Sequence, residues 1–438
     1  MRSALLALLL TASTVTPAAV AAEAPSRPGV DAPELARLGP FAVGVRTVTL
    51  VQHDQPDVLA FDPQTGSAPR RDRALTVDIW YPALATRGAR PETYSATLPA
   101  EPPAPPAKFS IPGIAVRGAA AVAGHHPLVV VSHGYSNATV ALSWLTENLA
   151  SKGYVVAAIR HEDPPITDRA KFVEPLLRRP LDIGFVTRSL QGSLAAEGLV
   201  DPARTALVGY SMGGYGVLTS AGAPLDPAGR AVQGMPGGLL RPYALGGSDR
   251  AAILVDGLKA VVAISPAGAT FGVWPDAGLA ALTAPLLLIA GDCDRTVDYA
   301  TGARAFFDRA TGVQRYLLTF KGGGHAIGLD PVPDAMRGRL WDFDWFEDPV
   351  WRKDRIIEVN LHVITAFLDL YVRGDASRAA YLDGLVPESA AGQWPAGSSA
   401  PYDAFSPGSD GITVWKGFQR RHAEGLELLA RPPESPAR

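Results

Sequence analysis

The run Thr205-Ala-Leu-Val-Gly-Tyr-Ser-Met-Gly-Gly214 constrains the fold more than any other stretch of the chain. An apolar strand runs directly into Gly209-Tyr-Ser-Met-Gly213, a G-x-S-x-G pentapeptide. A serine at such a strand-to-helix turn sits in strained backbone with its hydroxyl exposed. Side chains two positions to either side would collide with the flanking strand and helix, so glycine fits there. The helix that follows directs its first N–H groups at the serine, where acyl transfer develops negative charge. Ser211 is therefore the candidate nucleophile.

The rest of the chain supplies a scaffold for that turn. Val43–Val51 and Ala74–Tyr81 alternate in the strand manner across a polar connection, as an antiparallel pair would. Leu98–Pro112 is proline-rich and reads as a surface loop. Short unbroken apolar runs follow at Leu128–Val131, Tyr154–Ile159, Ala206–Val208, Ala260–Ile264, Leu286–Ile289 and Tyr316–Phe320. Helix-like segments stand among and after them at Val140–Lys152, Leu181–Glu197 and Arg352–Val372. Unbroken apolar strands alternating with helices indicate an α/β domain, with about eight strands in a mostly parallel sheet covered on both faces. Three segments fall outside the alternation. Ala223–Asp249 and Asp330–Trp351 are expected as lid-like insertions or pocket walls, since ligands bind beyond the carboxyl ends of such strands. The tail beyond Asp375 reads as loop.

Residues 1–22 have the pattern of a signal peptide: Arg2, an apolar run from Ala4 to Leu10, and small residues at Ala19-Val20-Ala21. Residues 23–38 read as a mobile leader, 39–375 as one domain and 376–438 as a C-terminal extension. No later segment reaches about 18 uninterrupted apolar residues, so stable membrane insertion is not expected. A formal charge of −3 argues against nucleic acid or an anionic membrane surface as partner. The single cysteine, Cys293, excludes an intrachain disulfide and zinc sites built from cysteine clusters; it reads as a small buried apolar filler.

Ser211 needs a base, and the base needs an orienting acid. His325 follows the Tyr316–Phe320 strand in Lys321-Gly-Gly-Gly-His-Ala326, at a strand's carboxyl end. His362 lies within an apolar-faced helix and reads as a packing or surface residue; His125 and His126 precede a strand, and His53 and His422 lack supporting context. The acid is expected between serine and histidine in the chain. Asp294, just past the Leu286–Ile289 strand, is the first choice, with Asp292 and Asp298 in reserve. Two backbone N–H groups should hold the oxyanion, from Met212 and from Tyr135 in Ser132-His-Gly-Tyr-Ser136. His133 in that turn is read as holding the loop by hydrogen bonds. Tyr210, Trp341, Phe343, Trp345 and Phe346 are candidates for the substrate pocket, the last four as an apolar rim.

Together these residues resemble the α/β-hydrolase fold, and within it the bacterial branch related to dienelactone hydrolases and platelet-activating-factor acetylhydrolases. The resemblance rests on Val43-Gly-Val-Arg-Thr47, Val77-Asp-Ile-Trp-Tyr-Pro82, Pro127-Leu-Val-Val-Val-Ser-His-Gly134, Ser151–His161, Arg179-Pro-Leu-Asp182, Gly209–Gly214 and Gly324-His325, spanning about Pro40 to Asp375. It implies a serine esterase using Ser211, an Asp and His325, with no metal or organic cofactor. Dienelactone hydrolases proper carry a cysteine where Ser211 stands. Animal acetylhydrolases carry their acid after the strand following the elbow, where this chain has Ile264-Ser-Pro-Ala-Gly268. The pair Tyr135 and Met212, and the acid's location, also resemble those of secreted cutinases and polyester hydrolases. The expectation is an exported enzyme, periplasmic or extracellular, cleaving small-molecule or lipid-like esters, with polyesters a further class. A peptidase or acyltransferase on the same residues, and an inactive envelope binding protein, are the alternatives.

Overall fold

The apolar runs become the strands of a ten-stranded sheet. The computed structural model describes residues 32–98, 105–338, 344–394, 411–419 and 422–434. The expected signal segment and most of the leader lie outside the described residues. The strands are β1 (Ala42–Pro56), β2 (Arg70–Ala83), β3 (Thr93–Leu98), β4 (Ala107–Pro112), β5 (Val116–Arg117), β6 (His126–Ser132), β7 (Val155–Arg160), β8 (Val200–Tyr210), β9 (Leu258–Ile264), β10 (Leu286–Gly291), β11 (Arg315–Phe320) and β12 (Leu426–Arg431). The helices are α1 (Ser143–Ser151), α2 (Val173–Ala196), α3 (Met212–Ser220), α4 (Arg230–Gln233), α5 (Ala305–Arg309) and α6 (Lys353–Tyr371).

Across the sheet the order is β12-β11-β10-β9-β8-β6-β7-β2-β1-β5. From β11 to β7 all neighbours are parallel, and β2 pairs antiparallel with both β7 and β1. Both faces are covered, which is why the central runs lack polar alternation. Val129, Val131, Val156, Ala158 and Val208 pack on one face with Leu145 and Leu149 of α1 and Ile356, Val359, Val363 and Phe367 of α6. Leu128, Val130, Val155, Ala157 and Leu207 pack on the other with Ile183, Leu190 and Leu194 of α2, Val217 of α3 and Phe306 of α5.

The structure departs from the sequence reading in several places. Helix α2 begins at Val173, ahead of the expected Leu181, and runs through Pro180. Proline cannot donate to the carbonyl four residues back; the Tyr215 hydroxyl donates to that Leu176 oxygen instead, at 2.7 Å. The stretch read as a proline-rich loop contains β4, which forms a separate hairpin with β3. The tail is not all loop: β12 pairs antiparallel with β11 at the sheet edge, and Trp415 and Phe418 enter the core. From Ala32 onward the leader is packed. Leu35 N–H donates to His362 Nδ1 at 3.1 Å, and His362 Nε2 bonds the Lys416 carbonyl at 3.1 Å. A fully buried His362 thereby joins the segments at Leu35 and Lys416 to α6.

Both segments outside the alternation contribute residues to the apolar clusters. Leu225, Val232, Met235, Leu240 and Ala244 form a third apolar cluster with Leu177 of α2 and Met212 and Tyr215 of α3. In the second insertion Val332, Met336 and Phe346 are core residues. Among the described residues no helix is long and apolar enough to cross a membrane.

Candidate active site

Ser211 stands between β8 and α3 with φ 54° and ψ −114°. Its N–H donates to Ile264 O and its carbonyl accepts from Ala267 N, both at 2.9 Å, so strand β9 and the turn after it hold the strained residue. A Cβ on Gly209 would strike the Gly213 carbonyl oxygen, and one on Gly213 the Ser132 carbonyl oxygen.

The glycine turn after β11 carries His325. Gly322 N–H donates to Asp292 Oδ1 and Gly324 N–H to Asp348 Oδ2, both at 2.6 Å. The turn is thereby fastened on one side to the loop after β10 and on the other to the second insertion. His325 Nε2 lies 3.0 Å from Ser211 Oγ, and Nδ1 lies 2.7 Å from Asp294 Oδ2. The imidazole side chain is 21% exposed and the Asp294 carboxylate 1%, so the site opens to solvent at the histidine and is closed behind it. Burial pushes the Asp294 carboxyl up. Hydrogen bonds from His325 and from Val297 and Thr296 N–H outweigh that and hold it below the usual carboxylate range. An ionised acceptor at Nδ1 fixes the proton there and leaves Nε2 free to accept from the serine hydroxyl.

The reserve acids serve other ends. Asp292 holds the glycine turn, and exposed Asp298 accepts from Thr301 N–H at 2.8 Å. Cys293 is exposed rather than buried. Its N–H donates to Gly323 O at 2.9 Å while its neighbour Asp294 turns inward, which leaves the thiol outside.

Met212 opens α3, where first-turn N–H groups have no intrahelical acceptor. The Ser132–Ser136 turn lies close by: a Cβ on Gly134 would sit 3.5 Å from Ser211 Cβ. Among the described residues nothing accepts from Tyr135 N–H. His133 Nδ1 lies 2.7 Å from the Gly134 carbonyl, within the turn itself. Among the described residues no group of three or more His, Cys, Asp or Glu side chains is placed to hold a metal ion.

The expected aromatic rim requires correction. Phe346 is fully buried and packs edge-on against Phe109 of β4, with ring centroids 6.2 Å apart. Trp345 packs at the margin of the same core. Trp341 and Phe343 lie outside the described residues. Tyr210 is buried too, wedged between Gly134 and Gly328 with its ring beside His325. Tyr210 braces the His325 loop, its hydroxyl donating to the His325 carbonyl, whereas Phe346 of the second insertion turns into the core.

A second aromatic set includes Tyr135, from the turn close to Ser211. Tyr135 meets Phe172 edge-on at 5.0 Å, and Phe172 meets Phe271 at 4.8 Å, packed on the cluster that holds Met212. The sequence reading missed Phe172, which stands ahead of α2 in a stretch without periodicity. Phe271 follows β9 in Ala-Thr-Phe-Gly272, and its place beyond a strand's carboxyl end was an available signal.

A family model described as PETase, PET hydrolase-like, matches residues 115–236. Cutinase 1 of Thermobifida cellulosilytica is 24% identical over 202 residues, 45% of this chain and 59% of that protein. A cutinase of Thermobifida fusca (strain YX) is 24% identical over 202 residues, 45% of this chain and 52% of that protein. The chain thus spans little more than half the length of the curated relatives it matches. A solved structure of a ferulic acid esterase from Streptomyces cinnamoneus superposes with a TM-score of 0.50 at 25% identity, covering 76% of this chain and 91% of that one.

Proposed function

We propose that this chain, which belongs to the α/β-hydrolase superfamily, is a serine esterase that cleaves carboxylic esters through an acyl-enzyme. One observation carries the reading: an unbroken hydrogen-bonded series from Ser211 Oγ through His325 to Asp294, at 3.0 and 2.7 Å, beside a strained elbow. The names of the relatives, cutinases and a ferulic acid esterase, support the same chemistry.

In this mechanism Ser211 Oγ bonds to the ester carbonyl carbon as its proton passes to His325 Nε2. The carbonyl π pair moves onto oxygen, where Met212 and Tyr135 N–H stabilise it. Asp294 keeps the imidazole in the required tautomer and stabilises the imidazolium. The oxyanion collapses, the C–O bond to the alcohol breaks, and His325 protonates the leaving oxygen. Water, deprotonated by His325, then releases the acid by the same route. Tyr135, Phe172 and Phe271 give the cleft an apolar, aromatic wall suited to apolar or ring-bearing acyl groups. Esters of aromatic acids and polyesters are the natural candidates. The signal-like residues 1–22 support export.

The test is hydrolysis of p-nitrophenyl esters of increasing acyl length by the wild type and Ser211→Ala, with fluorophosphonate labelling of both. The expected result is wild-type turnover and labelling, and in Ser211→Ala no labelling and a loss of up to roughly 10⁶ in kcat. An unlabelled wild type that cleaves no ester, or full activity without Ser211, overturns the reading.

A further inference from the structure

The geometry points to Arg179 and His133 as positioning residues that aim and polarise the Tyr135 N–H toward the oxyanion. The inference rests on the serine esterase reading above and concerns two buried groups to which that mechanism gives no part.

Arg179, fully buried on α2, uses every N–H of its guanidinium. Nε donates to Asp163 Oδ1 at 3.2 Å, and Nη2 donates to Asp163 Oδ2. Nη2 also donates to the Gly134 carbonyl at 3.1 Å. Nη1 donates to the His133 carbonyl and, at 3.2 Å, to Ser132 Oγ. Asp163 in turn accepts from Ser136 N–H at 2.9 Å. The turn is therefore gripped at both ends by one ion pair.

His133 adds a second donor to the same carbonyl. Its Nε2 accepts from His161 N–H at 3.1 Å, so the ring proton resides on Nδ1, which donates to Gly134 O at 2.7 Å. A trans peptide holds its C=O and N–H antiparallel. Fixing the Gly134 oxygen from two sides therefore fixes the Tyr135 N–H pointing the other way. Donors on a carbonyl oxygen also draw electron density through the amide and strengthen its N–H as a donor. That N–H has no acceptor among the described residues.

Behind the clamp runs a second Ser-His-Asp series. Ser132 Oγ lies 2.9 Å from His161 Nε2, and His161 Nδ1 lies 3.0 Å from Asp182, which also pairs with Arg73. The residue types match those at Ser211, but Ser132 is fully buried and its Oγ already accepts from Arg179. This series orients the guanidinium. Burying so many polar groups costs stability unless each is paired. Here Arg179 and His133 both donate to the carbonyl of the Gly134–Tyr135 peptide.

The experiment compares an aryl ester with the thionoester of the same acid, for the wild type, His133→Phe and Arg179→Lys. Sulfur accepts hydrogen bonds poorly, so the ester-to-thionoester rate ratio reports how well the amides hold the oxyanion. Each variant is first checked by Tm and by fluorophosphonate labelling. In either variant that folds, the ester kcat should fall about tenfold to hundredfold at nearly constant KM, with the thionoester rate little changed. The ratio then collapses by that factor. An equal loss on both substrates, or an unchanged ester kcat, overturns the positioning role while leaving the esterase reading intact. A wild type that cleaves no ester overturns both.

Discussion

Tyr210 donates its hydroxyl proton to the His325 backbone carbonyl at 3.1 Å while its ring lies against the imidazole, centroids 5.3 Å apart. The residue before the nucleophile thus sets where the base stands. Tyr210→Phe keeps the ring and removes the bond. Such a bond contributes about 1 kcal/mol, so Tm should fall by a few degrees at most. The kcat for a p-nitrophenyl ester should drop about threefold to tenfold as the His325 loop loses its anchor. Steady-state kinetics beside thermal melts check this; a wild-type kcat would show that packing alone suffices.

Asp294 and Asp292 are separated by one residue and should behave very differently. Asp294→Asn removes the ionised acceptor at His325 Nδ1 and favours the wrong tautomer, with an expected loss of roughly 10⁴ in kcat and little change in KM. Asp292→Asn disturbs only the acceptor for Gly322 N–H and should cost less than about tenfold. Comparable losses in the two variants would remove Asp294 from its special role.

How much of this was legible depended on whether the cause was local. Gly209 and Gly213 are demanded by contacts within a few residues and with one neighbouring strand, so the elbow could be read from the chain. The unbroken runs from Leu128 to Phe320 announced strands buried on both faces. What stayed hidden depends on a distant partner. Pro180 argues for a helix start unless Tyr215 is seen reaching the Leu176 carbonyl. Leu426–Arg431 is a weak strand signal until β11 offers an edge. The aromatics of 341–346 follow the histidine loop in sequence, yet Phe346 turns into the core against Phe109, while Phe172, from ahead of α2, packs between Tyr135 and Phe271.

The Tyr135–Phe172–Phe271 wall should govern acyl preference. Phe172 and Phe271 are both half-buried, so truncation removes wall rather than core. Phe271→Ala should lower kcat/KM for benzoyl or cinnamoyl esters about tenfold while leaving the acetyl ester within about twofold, since one aromatic contact contributes roughly 0.5–1.5 kcal/mol beyond its buried area. A profile over acetyl, butyryl, octanoyl and cinnamoyl p-nitrophenyl esters measures it. A uniform loss with a lowered Tm would instead make Phe271 a core residue.

The fold should be labile in mild acid because it buries neutral imidazoles. Burial pushes His133, His161 and His362 down to about 3, against about 6.5 in an unfolded chain. As pH falls below the unfolded value, the unfolded chain takes up protons that the folded chain refuses. The stability is therefore complete above about pH 6.5 and is lost progressively toward pH 3, at about 1.4 kcal/mol per histidine by pH 5.5. Asp330 works in the opposite sense. Burial raises its carboxyl to about 7, so it favours folding in acid and offsets part of the loss. His362 isolates the effect, since it accepts from Leu35 N–H and donates to the Lys416 carbonyl, outside the Ser211–His325–Asp294 series. His362→Gln can make both bonds and carries no charge at any pH. Thermal melts between pH 7 and pH 5 should show a steep fall in Tm for the wild type and a shallower one for His362→Gln, with esterase activity at neutral pH unchanged. Parallel slopes for the two proteins would mean that His362 is protonated in the folded state without penalty.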